Sequence, residues 1–332
     1  MPRPPKVIAL VSIHGLIRAH DLELGRNADT GGQTKYVVEL TEELGGCEGV
    51  ERVDLLTRLI DDPDYDDDYA QPSETIGPNA RIVRLECGPA GYVRKELLYP
   101  HLDEYRQNAI RFYEESGRPP DVVHGHYADG AYVAQRLAQH FGVPFLFTGH
   151  SLGRNKARTL QRAGMAEEQI RQQYAMDERI RIEEEALRAA DQVIASTEYE
   201  IQTGYELYDA HKAADYRVMP PGIDLERFYP YYYEDDPNFD RSEEQKQAAH
   251  RMRQEIARFI TQPEKPIILA ISRPDRRKNI PSLIEAYGAD PELQSLANLV
   301  IFAGVRKDIE AMDDNEREVL TELLLLMDKH DL

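Results

Sequence analysis

The sequence predicts an α/β protein with a doubly wound parallel sheet, followed by the start of a second α/β unit. Three observations predict it. Short apolar runs alternate with segments of helical period, the signature of βαβ units. A Pro220-Pro221-Gly222 break then opens a Tyr-, Pro- and Asp-rich stretch running from Ile223 to about Asp240. At Pro266 the same alternation restarts.

The first apolar run, Val7–Ser12, reads as a buried strand, because it is far shorter than the ~20 residues a membrane span needs. Further strands are expected at Arg52–Leu59, Ala80–Glu86, Asp121–His126, Pro144–Thr148, Gln192–Ser196 and Arg217–Met219. Helical patterns fill the gaps at Tyr36–Leu44, Leu102–Glu115, Tyr132–Phe141 and, as one long helix, Glu167–Ala190. After the break, Ser242 is placed to cap a polar helix reaching Ile260. Strand Ile267–Ser272, helix Pro281–Tyr287, strand Leu299–Ala303 and helix Glu316–Lys329 follow. The expected boundaries are therefore residues 1–222, a linker and helix over 223–264, and a second unit over 265–332. Two strands and two helices are too few to close a nucleotide-binding domain, so the second unit is expected to be truncated at Leu332.

The chain has 332 residues and a formal charge of −20, from 60 acidic against 40 basic side chains. That balance argues against nucleic acid and anionic membranes as partners, since both need a basic footprint. Two cysteines, Cys47 and Cys87, in a chain this long suggest a reducing compartment, and a cytoplasmic protein is expected. The acid run Asp61–Asp68 lacks the glycine and closing glutamate of a calcium loop, and no metal site is expected. Neither G-x-G-x-x-G nor G-x-x-x-x-G-K-[ST] occurs, against a hydride-transfer enzyme and the common kinases; no cofactor is expected.

The densest chemistry lies in Thr148-Gly149-His150-Ser151-Leu152-Gly153-Arg154-Asn155-Lys156, beyond the carboxyl end of a strand. Open α/β sheets bind ligands there, and the cations suggest an anionic one. Asp29-Thr30-Gly31-Gly32-Gln33 precedes a helix, where exposed N–H groups attract phosphate oxygens, although many loops carry such a pair. Arg273-Pro274-Asp275-Arg276-Arg277-Lys278-Asn279 fits either a diphosphate clamp or a solvated basic loop. His124-Gly125-His126-Tyr127 fits strand-end packing or a site lining better than a metal site. Lys95 alone reads as surface decoration, and Arg179 with Glu183, four apart, as a surface ion pair.

Taken with Ser12-Ile13-His14-Gly15-Leu16-Ile17-Arg18, Leu24-Gly25-Arg26, Tyr36–Leu40 and Pro220-Pro221-Gly222, these segments resemble the sucrose-phosphate synthase family of plants and cyanobacteria. That family belongs to the retaining glycosyltransferases of family 4, with the GT-B fold of two Rossmann-like domains. The resemblance covers nearly all of the chain except residues 229–264. It implies transfer of glucose from UDP-glucose to fructose 6-phosphate, giving sucrose 6-phosphate and UDP. It also implies site residues. Gly32 would meet the donor diphosphate, and Arg273 and Lys278 would neutralise the departing UDP. Gln33 would contact fructose hydroxyls, while Lys95, Lys156 and Arg179 would hold the acceptor phosphate. Tyr127 and Ser151 would position the fructose ring, with His150 beside the transferring glucose.

Tyr99 stands where relatives carry tryptophan, and Glu178 where many carry arginine. The family's donor-gripping glutamate pair would fall beyond Leu332, so the chain alone is expected to be inactive. A related disaccharide-phosphate synthase with another nucleotide sugar, or a non-catalytic sugar-phosphate-binding chain, are the alternatives.

Overall fold

In the computed structural model, which describes residues 5–225, 228, 241–303, 312 and 314–332, strand β1 (Val7–Val11) is buried at every position. A strand covered on both faces must lie mid-sheet between helix layers, and its uniformly apolar sequence follows from that. The chain divides into two compact units, Met1–Gly222 and Ile223–Leu332.

The first unit runs β1, α1 (Gly32–Gly46), β2 (Arg52–Arg58), β3 (Ser73–Gly77), β4 (Ala80–Leu85), α2 (Leu102–Ser116), β5 (Val122–His126) and α3 (Tyr127–Phe141). It continues with β6 (Phe145–Thr148), α4 (Gly153–Arg162), α5 (Glu167–Tyr174), α6 (Met176–Ala189), β7 (Gln192–Ala195), α7 (Glu198–Thr203) and β8 (Tyr216–Val218). The eight strands are ordered β3-β4-β2-β1-β5-β6-β7-β8. All neighbours are parallel except β3 and β4. Strand order reverses at β1, with β2 and β4 to one side and β5 onward to the other. That reversal opens a crevice beyond the carboxyl ends of β1 and β5.

One core cluster joins β1 and β5–β7 to α2, α3 and α6 through Tyr105, Tyr113, Ala131, Leu137 and Phe147. A second packs α1 on β1, β2 and β4 through Val37, Val38, Leu10 and Leu55. All seven strands expected here form close to their expected bounds. The edge strand β3 carries the polar run Ser-Glu-Thr-Ile-Gly and gave no apolar signal. The expected single helix over Glu167–Ala190 is instead two, α5 and α6. They part at Ala175, which sits in the left-handed region at φ 45°. Alanine favours helix and gives no breaking signal. Ile170 on α5 and Met176 on α6, either side of the bend, are both buried.

The second unit contains α8 (Glu243–Ala257), β9 (Ile267–Ser272), α9 (Ile280–Gly288), α10 (Pro291–Leu296), β10 (Asn298–Ala303) and α11 (Asp314–His330). Ser242 and Gln245 form a reciprocal capping box at the start of α8. Strands β9 and β10 pair in parallel, and a small core gathers Ile280, Ile284, Val319 and Leu323. Alternate β9 residues Ile267, Leu269 and Ile271 are exposed. The stretch expected between Ile223 and about Asp240 lies largely outside the described residues.

Candidate active site

At the β1/β5 crevice, His14 Nδ1 lies 2.7 Å from Asp129 Oδ2, and both side chains are buried. The pair links the loop after β1 to the first turn of α3, and Gly130 N–H donates to the other carboxylate oxygen at 2.7 Å. Glycine is required at 130, because a Cβ there would collide with the Val11 carbonyl. Tyr127 begins α3 with φ 65°, a strained angle for a bulky residue. Its ring meets that of His14 edge-on at 4.6 Å. Gln33 reaches the same crevice, donating from Nε2 to Ser12 Oγ at 3.2 Å. Gly32 opens α1 where an added Cβ would meet no atom within 4 Å, and the first turn carries no acidic side chain.

Lys95 is no surface decoration. Its ammonium pairs with the buried Asp29 carboxylate and lies 3.1 Å from Glu96 Oε1. Asp29 also accepts from Tyr92 OH at 2.6 Å and from Lys95 N–H at 3.1 Å. Burial opposes ionisation of Asp29, but Lys95 and His14 outweigh it and hold the carboxyl at about 2.

Three imidazoles meet at the ends of β5 and β6. His124 Nε2 is 2.8 Å from Thr148 Oγ1, and His126 Nδ1 is 2.9 Å from His150 Nε2. The His124 and His126 ring centroids lie 4.1 Å apart, and Tyr36 closes on His150 edge-on at 5.1 Å. Burial disfavours the charged form of all three. It lowers His124 to about 4 and His150 to about 3, and drives His126 well below its ordinary value. His150 itself takes φ 54°, at a tight turn where Ser151 N–H donates to Gly149 O at 2.6 Å.

Arg179 and Glu183 are not a surface pair: their side chains are 2% and 0% exposed. Arg179 Nε donates to Glu183 Oε1 at 3.0 Å, and its Nη2 donates to the Ser151 carbonyl at 2.6 Å and hydroxyl at 3.2 Å. The guanidinium lies over the Tyr127 ring, 4.4 Å from its centroid. Burial opposes the charge, yet Glu183 wins and holds Arg179 firmly protonated. Glu183 also accepts from Gly153 N–H at 3.0 Å and from Tyr208 OH, so it caps the start of α4 from a different helix.

The structure thus connects Tyr127, Ser151 and Arg179 directly, sets His14 against the Tyr127 ring, and puts His150 one residue from Ser151. Lys156 stands on the first turns of α4, its ammonium 3.8 Å from the Tyr174 ring centroid. In the second unit, Arg273 Nη1 lies 3.5 Å from Glu316 Oε1, and exposed Lys278 ends the turn Arg276–Lys278. Arg277 is held by Asp275 at 2.7 Å.

Sequence reading missed the carboxylates Asp29 and Asp129 and the imidazoles His14 and His126 as partners, and missed the burial of Glu183. Isolated acids carry no spacing signal until folding brings their cations to them. Among the described residues, no group of three or more His, Cys, Asp or Glu side chains could hold a metal. Also among them, no helix is long and apolar enough to cross a membrane.

Residues 31–222 match the glycosyl transferase 4-like domain. Over 98% of its length the chain is 38% identical to a probable sucrose-phosphate synthase of Arabidopsis thaliana, and covers 35% of that protein. The sucrose-phosphate synthase of Zea mays is 39% identical with the same coverage. The chain therefore spans about a third of the length of the curated relatives it matches. Among solved structures, sucrose-phosphate synthase from Thermosynechococcus elongatus superposes with TM-score 0.69 at 27% identity, over 98% of this chain and 68% of that one. The catalytic domain of Arabidopsis thaliana starch synthase IV, at 13% identity, TM-score 0.59, and 98% and 72% coverage, shares the fold alone. The α/β architecture is that of GT-B glycosyltransferases, and the chain belongs to the glycosyl transferase 4-like family.

Proposed function

We propose that this chain serves a sucrose-phosphate synthase reaction as part of its catalytic machinery, in which glucose moves from UDP-glucose to fructose 6-phosphate and UDP is released. On this reading residues 1–222 bind the acceptor, residues 223–264 connect, and residues 265–332 contribute to the donor side. The observation that carries it is the Arg179 guanidinium, fully buried, braced by Glu183 and directed onto Ser151. A buried, pre-oriented fork of donors suits a phosphate ester better than a neutral sugar.

Arg179, Lys95 and Lys156 hold the acceptor phosphate, Tyr127 and Ser151 position the ring, and Gln33 contacts its hydroxyls. His150 lies beside the glucose being moved. At Gly32 the uncrowded start of α1 offers backbone N–H groups to the diphosphate, and Arg273 and Lys278 offset its growing charge. Glycosyl transfer develops positive charge on the sugar and negative charge on the leaving diphosphate, so fixed donors aimed at the latter lower the barrier. Retention follows if the acceptor hydroxyl attacks from the side the diphosphate leaves, giving its proton to that phosphate.

The test is a calorimetric panel on the whole chain: fructose 6-phosphate, glucose 6-phosphate, fructose and inorganic phosphate. The reading requires fructose 6-phosphate to bind most tightly. Equal binding of all four, or preference for another sugar phosphate, overturns it.

A further inference from the structure

His126 takes no part in the chemistry just described, yet it is buried and joined to His150 by a hydrogen bond, Nδ1 to Nε2 at 2.9 Å. Two ring nitrogens at that distance share one proton, and two arrangements are open. If His150 Nε2 carried it, neutral His126 would hold its own proton on Nε2. That atom is buried and has no hydrogen-bond partner. An N–H would then be orphaned away from water, and orphaned buried N–H groups are rarer than orphaned acceptors. If His126 Nδ1 carries the shared proton, only a lone pair is left without a partner at Nε2.

The second arrangement fixes His150 as well. With Nε2 accepting, a neutral His150 must carry its proton on Nδ1. Both rings are neutral at pH 7, because burial disfavours either imidazolium. Among the described residues no protein group hydrogen-bonds Nδ1 of His150, whose ring is only partly covered. The ring is further confined by Tyr36, edge-on at 5.1 Å.

We propose that His126 is a positioning residue that locks His150 as the Nδ1–H tautomer, so that His150 offers its ligand a hydrogen-bond donor and no acceptor. The group opposite His150 is then an oxygen that accepts, such as a sugar hydroxyl oxygen. A sugar lacking that oxygen leaves a desolvated N–H unpaired and is rejected, whereas an alkylated oxygen of similar size still serves as acceptor. The ligand half of this statement rests on the proposed placement of His150 beside the sugar. The tautomer half does not.

The tautomer can be read without any ligand. In the whole chain labelled with 15N-histidine, long-range proton–nitrogen correlation spectra at pH 7 distinguish protonated from bare ring nitrogens. The His150 signals are identified by their loss in His150→Gln. The expected pattern is a bare Nε2 and a protonated Nδ1 on His150. His126→Asn can place an amide N–H near the lost Nδ1 and is expected to keep that pattern. His126→Phe removes the donor and is expected to give averaged signals from both tautomers. A protonated His150 Nε2 in the unmodified chain overturns the proposal, even if neither variant folds. So does an unchanged His150 pattern in folded His126→Phe. Because no sugar is present, a failed acceptor panel leaves this result standing, and a failed tautomer leaves the acceptor panel standing.

Discussion

Glu183 Oε1 accepts from Arg179 Nε at 3.0 Å, while the same carboxylate takes the Gly153 N–H at 3.0 Å. One buried anion therefore sets both the Arg179 guanidinium and the start of the helix that carries Lys156. Binding geometry and fold stability meet at that residue.

Glu183→Ala leaves a guanidinium buried without its counter-charge and the Gly153 N–H without an acceptor. Breaking such a pair costs about 3–5 kcal/mol, and that loss is expected from urea unfolding. Glu183→Gln keeps an acceptor oxygen and is expected to lose less.

On the proposed role of Lys95, Lys95→Met removes one charge-assisted contact to the acceptor phosphate. Fructose 6-phosphate affinity is expected to fall about 10- to 100-fold, from the ~1.5–3 kcal/mol of such hydrogen bonds. Affinity for fructose should change far less, which separates lost phosphate contact from a damaged site.

The imidazole cluster makes stability depend on pH. His124 and His150 are lowered from 6.5 to about 4 and about 3 by burial. Between those values and 6.5 the unfolded chain binds protons that the folded chain refuses. Stability is therefore fully present above pH 6.5 and falls as pH drops toward 4. Asp29 acts in a lower window, its contribution being lost only as pH falls from 3.8 through about 2. Urea midpoints measured at pH 7 and pH 5 check the first window, and His150→Gln should reduce the difference.

Ala175→Gly is expected to stabilise the chain by about 1 kcal/mol, because alanine is strained in the left-handed region that glycine enters freely. An unchanged or lower urea midpoint would contradict the bend described between α5 and α6.

The central strands of the first unit were legible because parallel, doubly covered strands tend to be near-continuous apolar runs such as Val7–Val11. Strand β3 was not, since an antiparallel edge can be polar. Nor was the bend at Ala175, which falls in a helix-favouring sequence. Within the site, the segment Gly149–Lys156 announced itself through its cations beyond a strand end. Lys95 and the Arg179–Glu183 pair read as ordinary surface groups. Burial separates a braced guanidinium from a solvated one, and local spacing is the same for both.

Calorimetric titration of fructose 6-phosphate into the whole chain, beside Lys95→Met and Lys156→Met, tests the account most directly. If Lys95, Lys156 and Arg179 grip one phosphate, the phosphorylated sugar binds at least about 10-fold more tightly than fructose, and each variant erodes that preference. Equal affinity for the two sugars, or a preference that neither substitution touches, would contradict it.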